Sequence, residues 1–214
     1  MRGIIGIDEV WRWPWAGPVV AWAVFFRTSD KPKLKILEEL DDSKNLTKIK
    51  RSKLSKDIRT LEKKWLCICW IWVIGNEIID EVGIRNANKQ AMQLALDEVK
   101  SKISDLKSVR IKIDWRDNYE FDRNDLPVKY IIKWDSKIDE IKAASIIAKV
   151  TRDKIMEDYA KIHPWYHFET NVWYWTQKHQ KALKALWTCP LHRKSYLPIK
   201  NALILEEKAI QSSL

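Results

Sequence analysis

Four acidic residues hold the chemical promise of this chain: Asp8 and Glu9 at the end of the apolar run "GIIGI", Asp114 closing "VRIKID", and Asp135 closing "VKYIIKWD". Asp8, Asp114 and Asp135 each follow residues rich in Ile and Val, so each is expected at the end of a β-strand. In an α/β sheet, neighbouring strand ends border the crevice in which ligands bind. Carboxylates crowded there repel one another, and some would stay protonated unless divalent cations neutralise them. That setting suits two-metal phosphoryl transfer, with ions about 3.5–4 Å apart bridging the attacking and leaving oxygens. Glu9 can join Asp8 only if the strand stops there, because successive strand residues point to opposite faces. The loop at residues 10–18, which contains "PWAGP", is expected to supply the break. The plainer reading of any one of these acids is a cap or a solvated strand end.

The elements that would position the acids can be read along the chain. Residues 3–8 and 19–27 are two neighbouring strands joined by that loop, and "LCICWIWVI" is a third. Between them, "TKIKRSKLSKDIRTLEKK" opens on Thr47 as N-cap and repeats Ile49, Leu54, Ile58 and Leu61 at helical spacing. Residues 84–103 form a second amphipathic helix. Strands at 109–114 and 128–135 follow. Ser136 and Asp139 then open a helix whose buried face carries Ile138, Ile141, Ile146, Ile147 and Val150. The reading is an α/β fold, a mixed five-stranded sheet flanked by helices. Residues 1–160 form its core and residues 161–214 a small helical C-terminal extension of the same unit.

Composition narrows the partners. The 214 residues include 39 Lys and Arg against 29 Asp and Glu, a net charge of +10 that favours a polyanion such as nucleic acid. Cys67, Cys69 and Cys189 are odd in number and form no C-x-x-C pair, which argues against a disulfide framework or a zinc site. No apolar run is long enough to span a bilayer, and the start "MRGIIGIDE" lacks a secretory apolar core, so a soluble, cytoplasmic protein is expected.

Several segments together resemble one family. "GIDEVWRWPWAGPVV", "DDSKNLT", "IKID", "KWDSK", "KAASIIAKVTRD", "FETNVWYWTQKH" and "LHRKSY" follow one another in the order and spacing of type 2 ribonuclease H, ribonuclease HII, from residue 3 to about residue 198. The resemblance implies a ribonuclease H-like fold and Mg2+ or Mn2+ as cofactor. It also implies hydrolysis of the RNA strand of RNA–DNA hybrids and cleavage at ribonucleotides embedded in duplex DNA, by a monomer. On it, Asp8, Glu9, Asp114 and Asp135 match the metal-binding quartet, and Arg12 matches the arginine of a glycine–arginine–glycine loop that reads the 2′-hydroxyl. Tyr174 matches the tyrosine beside the cleaved sugar, and Ser43 and Lys44 match a segment near the phosphate backbone. Lys149, Arg152, Lys178 and Arg193 would hold the duplex electrostatically. His192 is open to two readings, a phosphate-orienting group or a structural hydrogen-bonding histidine. Two other functions stay open: a catalytically dead, basic nucleic-acid-binding module, and another nuclease or integrase of the same fold.

The chain departs from the family in one consistent way. Trp11 and Trp13 flank Arg12, Trp115 follows Asp114, Trp134 precedes Asp135, Trp173 and Trp175 flank Tyr174, and Trp187 stands where a helix should end in glycine. Trp22, Trp65, Trp70, Trp72 and Trp165 fit the same pattern, whereas Trp15 is a residue the family tolerates. The chain has 5 glycines and 13 tryptophans, where ordinary glycine usage of about 7% would give roughly 15 glycines. Two explanations are open. UGA is read as tryptophan in some genetic codes and as glycine in at least one other, so these positions could be glycines mistranslated; or the indoles are genuine stacking platforms for bases.

Overall fold

The computed structural model describes residues 3–10, 14–27, 29–114, 127–131, 138–169 and 176–212, with the side chains of residues 32 and 128–131 left aside. The chain divides into two compact units. One comprises Met1–Val10, Val20–Val73 and Asn88–Thr151; the other comprises Trp11–Val19, Ile74–Ala87 and Arg152–Leu214. The second unit thus gathers two earlier segments with the C-terminal stretch that the sequence sets apart near residue 161.

The first unit is built on five strands, β1 (Gly3–Val10), β2 (Val19–Phe26), β3 (Cys67–Ile74), β4 (Val109–Asp114) and β5 (Val128–Ile131), in the order β3-β2-β1-β4-β5. β1 runs antiparallel to β2 but parallel to β4, and β4 is parallel to β5, so the sheet is mixed as expected. β2 is buried along its whole length, which its unbroken apolar sequence "VVAWAVFF" requires. One expectation fails in detail. β1 does not stop at Asp8: its ladder continues with Asp8 opposite Trp22, Glu9 opposite Ala21 and Val10 opposite Val20. The prolines and glycine of the loop act two residues later than expected, because Glu9 and Val10 still find backbone partners on β2.

Helix α1 (Lys48–Lys63) begins where the sequence places it, with the Thr47 hydroxyl accepting the Lys50 amide at 3.2 Å. Leu54 and Ile58 are buried, but Ile49 is 84% exposed, because it lies off the buried stripe in the first turn. Helix α2 (Asn76–Val82) was not legible in advance, being a single short stretch, while α3 (Ile84–Ser101) matches its periodicity. Helix α4 (Asp139–Ile162) packs Ala143, Ala144, Ile146, Ile147 and Ala148 into a core with Trp22, Val24, Phe26, Leu54 and Ile58. β1 and α4 approach so closely that a Cβ on Gly6 would lie 2.5 Å from the Glu140 carbonyl carbon and 2.6 Å from the Ile141 nitrogen. Glycine at position 6 therefore sets the distance between β1 and this helix.

In the second unit, α5 (Gln177–Leu186) starts on Thr176, whose hydroxyl accepts the His179 amide, and α6 (Leu197–Ser212) closes the chain. The Asp80 carboxylate receives the amides of Lys194 and Ser195 at 2.8 Å each and the Ser195 hydroxyl at 2.7 Å. The Asn76 amide donates to the Pro190 carbonyl at 2.8 Å. These side chains satisfy backbone groups of a segment with no regular structure of its own.

Candidate active site

The register of β1 and β4 brings the first two acids together. Ile7 pairs with Ile113, so Asp8 and Asp114 come next on adjacent parallel strands. The Asp8 carboxyl is pushed up to about 8, first by burial and then by the charge of Asp114. Three groups pull the other way: the Glu9 amide, which donates to Asp8 Oδ1 at 2.8 Å, the Ser145 hydroxyl and the Lys44 charge. Protein groups alone do not offset the cost of two charged carboxylates here. A hard divalent cation would, and an all-oxygen donor set of carboxylates is the one that Mg2+ or Mn2+ takes. The residues present fit such an ion, although among the described residues no group of three or more His, Cys, Asp or Glu is gathered as a metal-holding set. Asp135 lies outside the described residues, as do Arg12 and Tyr174.

Ser43 and Lys44 sit beside this pair. Ser43 is buried, and its hydroxyl shares a 2.8 Å hydrogen bond with the Ser145 hydroxyl, which in turn reaches Asp8. The turn that presents them is held by Asp42 Oδ1, which accepts the Lys44 amide at 2.9 Å, and by Arg51, which donates to the carbonyls of Ser43 and Leu46. Lys44 is exposed and acts on Asp8 through its charge. Sequence reasoning missed Ser145. The signal was available: it is the lone hydroxyl inside the apolar run "AASIIA" on the buried face of α4. It also missed the ion pair of Lys31 with Glu140 at 2.8 Å and Asp139 at 3.2 Å, for which "DKPK" gives no local cue.

The basic residues expected to grip the duplex fall differently. Lys149 and Arg152 are buried, and Arg152 donates to Asp153 at 2.5 Å, with burial lowering its pKa to about 10. Arg193 is also fully buried. Its guanidinium donates to the carbonyls of Gly17 at 2.9 Å and Pro18 at 3.1 Å and to the Tyr196 hydroxyl at 2.9 Å, and its amide donates to Trp15 O at 2.7 Å. In these positions the side chains brace the protein rather than face a phosphate. Lys178 is exposed on α5.

His192 is likewise enclosed. Its Nδ1 lies 2.9 Å from the Cys189 nitrogen and 3.2 Å from the Cys189 carbonyl, and its Nε2 lies 3.3 Å from Nε2 of His179. Nδ1 of His179 lies 3.2 Å from the Tyr166 carbonyl. Burial lowers the pKa of both rings, that of His192 to about 3, and so favours the neutral form of each. Trp15, Tyr166 and Phe168 pack around the pair. The hydrogen-bonding reading of His192 is the one this arrangement matches.

Two tryptophans occupy backbone conformations suited to glycine. Trp65 has φ 60°, and Trp187 at the end of α5 has φ 64° and ψ −155°, a region that side chains all but forbid. The indole nitrogens of Trp22 and Trp72 are buried without an acceptor.

The fold has solved counterparts among ribonucleases. Ribonuclease H2 from Pyrococcus horikoshii OT3 superposes with a TM-score of 0.77 at 21% identity, covering 96% of this chain and 99% of that one. Bst-RNase HIII, solved in complex with Mn2+, superposes at 0.69 and 18% identity, covering 97% and 71%. The chain belongs to the ribonuclease HII family, whose sequence pattern matches residues 5–198. It is 44% identical over 193 residues to ribonuclease HII of Borrelia recurrentis (strain A1), covering 90% of this chain and 98% of that protein. It is 41% identical over 196 residues to ribonuclease HII of Caldanaerobacter subterraneus subsp. tengcongensis, covering 91% and 73%. Members of the family are endoribonucleases with ribonuclease H activity on RNA–DNA hybrids. No described helix is long and apolar enough to cross a membrane.

Proposed function

We propose that this protein hydrolyses the RNA strand of RNA–DNA hybrids and cuts on the 5′ side of single ribonucleotides embedded in duplex DNA, leaving a 3′-hydroxyl and a 5′-phosphate. The observation that carries the reading is the placement of Asp8 beside Asp114 on adjacent parallel strands, with the Asp8 carboxyl raised to about 8 by burial and by its neighbour. Asp8, Asp114 and Asp135 would hold Mg2+ or Mn2+, which would supply an activated water and neutralise charge on the phosphate, and Glu9, one residue from the end of the β1 ladder, would join them only by turning out of the pleat. Ser145 and the Glu9 amide orient the Asp8 carboxylate through hydrogen bonds. Lys44, exposed beside it, meets the phosphate backbone. The backbone around Arg12 reads the 2′-hydroxyl, the only group that tells a ribonucleotide from a deoxyribonucleotide at that site. Tyr174 packs on the next deoxyribose. The enzyme works as a monomer in the cytoplasm.

The test is a gel assay on duplex DNA with one ribonucleotide, in Mg2+ and in Mn2+, using protein with glycine at positions 11, 13, 115, 134, 173 and 175. Asp8→Asn and Asp135→Asn should each lower the cleavage rate about a thousand-fold, several kcal/mol of barrier, with duplex binding nearly unchanged. Near-normal cleavage by either variant refutes the assignment.

A further inference from the structure

The burial of Lys149 leaves open where the first unit presents positive charge to a polyanion. Helix α1 supplies it. At 3.6 residues per turn, its buried residues Leu54, Ser55 and Ile58 fall on one side. Lys53, Lys56, Lys63 and Lys64, the last just past the helix end, lie on the opposite arc, with Lys48 and Lys50 at its flanks, all exposed. Acidic relief along that arc is slight. Glu62 is engaged by Arg59 at 2.7 Å, Glu39 reaches Lys53 at 3.1 Å, and Asp57 is the one other acid in the helix. Ile49, 84% exposed, sits in the middle of the lysines.

The helix also begins at the acidic pair. Its N-cap, Thr47, lies three residues after Lys44, and Lys44 and the Ser43–Ser145 hydrogen bond both act on Asp8. A helix of 16 residues extends about 24 Å at 1.5 Å per residue, the span of roughly seven phosphates along one strand at 3.4 Å each. We infer that the exposed face of α1 is a docking track for the sugar–phosphate backbone of a nucleic-acid duplex, leading away from the Asp8–Asp114 pair. The partner is a duplex of any sequence, since lysines on phosphates give affinity and register but no base readout. The inference rests on the proposed nuclease reading only for the kind of duplex that is finally cut.

The experiment measures fluorescence anisotropy of a labelled all-DNA duplex and a labelled RNA–DNA hybrid, with chelator present to prevent cleavage, between 50 and 200 mM salt. The probes are the chain as it stands and a variant carrying Lys50→Gln, Lys56→Gln, Lys63→Gln and Lys64→Gln, changes that preserve helix propensity. Each phosphate contact contributes about 0.9 to the slope of log affinity against log salt. The variant should lose about 2–3 of that slope and bind at least tenfold more weakly at 50 mM, with an unchanged melting temperature. The corresponding Lys→Arg set should keep both. An unchanged slope in the glutamine variant, or an equal loss in the arginine set, overturns the inference. Cleavage by the protein with glycine at positions 11, 13, 115, 134, 173 and 175 decides the other reading separately: salt-dependent binding of a hybrid that this protein never cuts sinks the nuclease assignment and leaves the track standing.

Discussion

Lowering the pH should unlock the His179–His192 pair, and the size of the effect follows from the burial of His192. An unfolded histidine titrates near pH 6.5, whereas His192 in the fold is depressed to about 3 by burial and by the neighbouring His179. The folded state therefore keeps the ring neutral where the unfolded chain binds a proton. The stabilisation is fully present above about pH 7 and is lost as the pH falls from 6.5 towards 3. At pH 5 the loss from His192 alone is about 2 kcal/mol, and His179, also lowered, adds in the same direction. For a chain of this size that is a fall of about 4–8 °C in melting temperature. The raised Asp8 carboxyl contributes a slope of opposite sign, so the informative quantity is a difference between proteins. Urea melts at pH 7.5 and pH 5.0 should be run on the parent and on His192→Asn, whose amide oxygen can still accept from Cys189. The variant should be less stable at pH 7.5 by about 1–3 kcal/mol, yet lose about 2 kcal/mol less than the parent between the two pH values. Equal losses in the two proteins would show that His192 is not held neutral and would refute the reasoning.

Millimolar Mg2+ or Mn2+ should raise the melting temperature, by about 2.7 kcal/mol of stability at a hundredfold excess over Kd, and Asp114→Asn should blunt the rise; coincident melts with metal and with chelator would exclude a metal site. Trp187→Gly should stabilise the protein by about 1–3 kcal/mol by relieving its φ of 64°, read by urea melts, and a loss of stability would argue that the indole is native there. Trp11→Gly with Trp13→Gly should restore part of a cleavage activity that the tryptophan-bearing chain largely lacks. Sequencing the gene should find UGA at those positions and UGG at Trp15, and UGG throughout would favour stacking platforms.

Much of the fold could be read from the sequence because it depends on local pattern. β2 is a continuous apolar run, Thr47 and Thr176 are caps with the right side chain, and α3 repeats its apolar residues at helical spacing. The acids at 8 and 114 were legible as neighbours because each follows an apolar strand of the same sheet, although either one alone reads as a cap or a solvated end. What escaped depends on register and burial. Whether β1 stops at Asp8 is decided by partners on β2, not by the loop's own residues. Lys149, Arg152 and Arg193 read as surface charges; Asp153 stands next to Arg152, but nothing near Arg193 in sequence announces the carbonyls of Gly17 and Pro18 that enclose it. Trp187 shows the reverse case: the sequence marks a glycine position, and the backbone there adopts a glycine conformation with an indole attached. The glycines that remain include Gly17 at φ 82° and Gly83 at φ 80°, sites as demanding as those of Trp65 and Trp187. Replacement therefore does not follow structural tolerance, as gradual selection would make it do, and mistranslation explains that better than adaptation.

The pairing of β1 with β4 also sets a timetable for the nascent chain. β1 leaves the ribosome first and meets β2 almost at once, but its other edge stays open until β4 arrives about 100 residues later, and Gly6 finds α4 later still. At roughly 5–20 residues per second that is several seconds of bare strand edge, the kind that recruits other chains. For the same interval Asp8 has no Asp114 beside it. The carboxylate pair is assembled only when the centre of the sheet closes, so a chain stalled before β4 carries half a site and an adhesive edge, and its quality control falls to whatever shields that edge during synthesis.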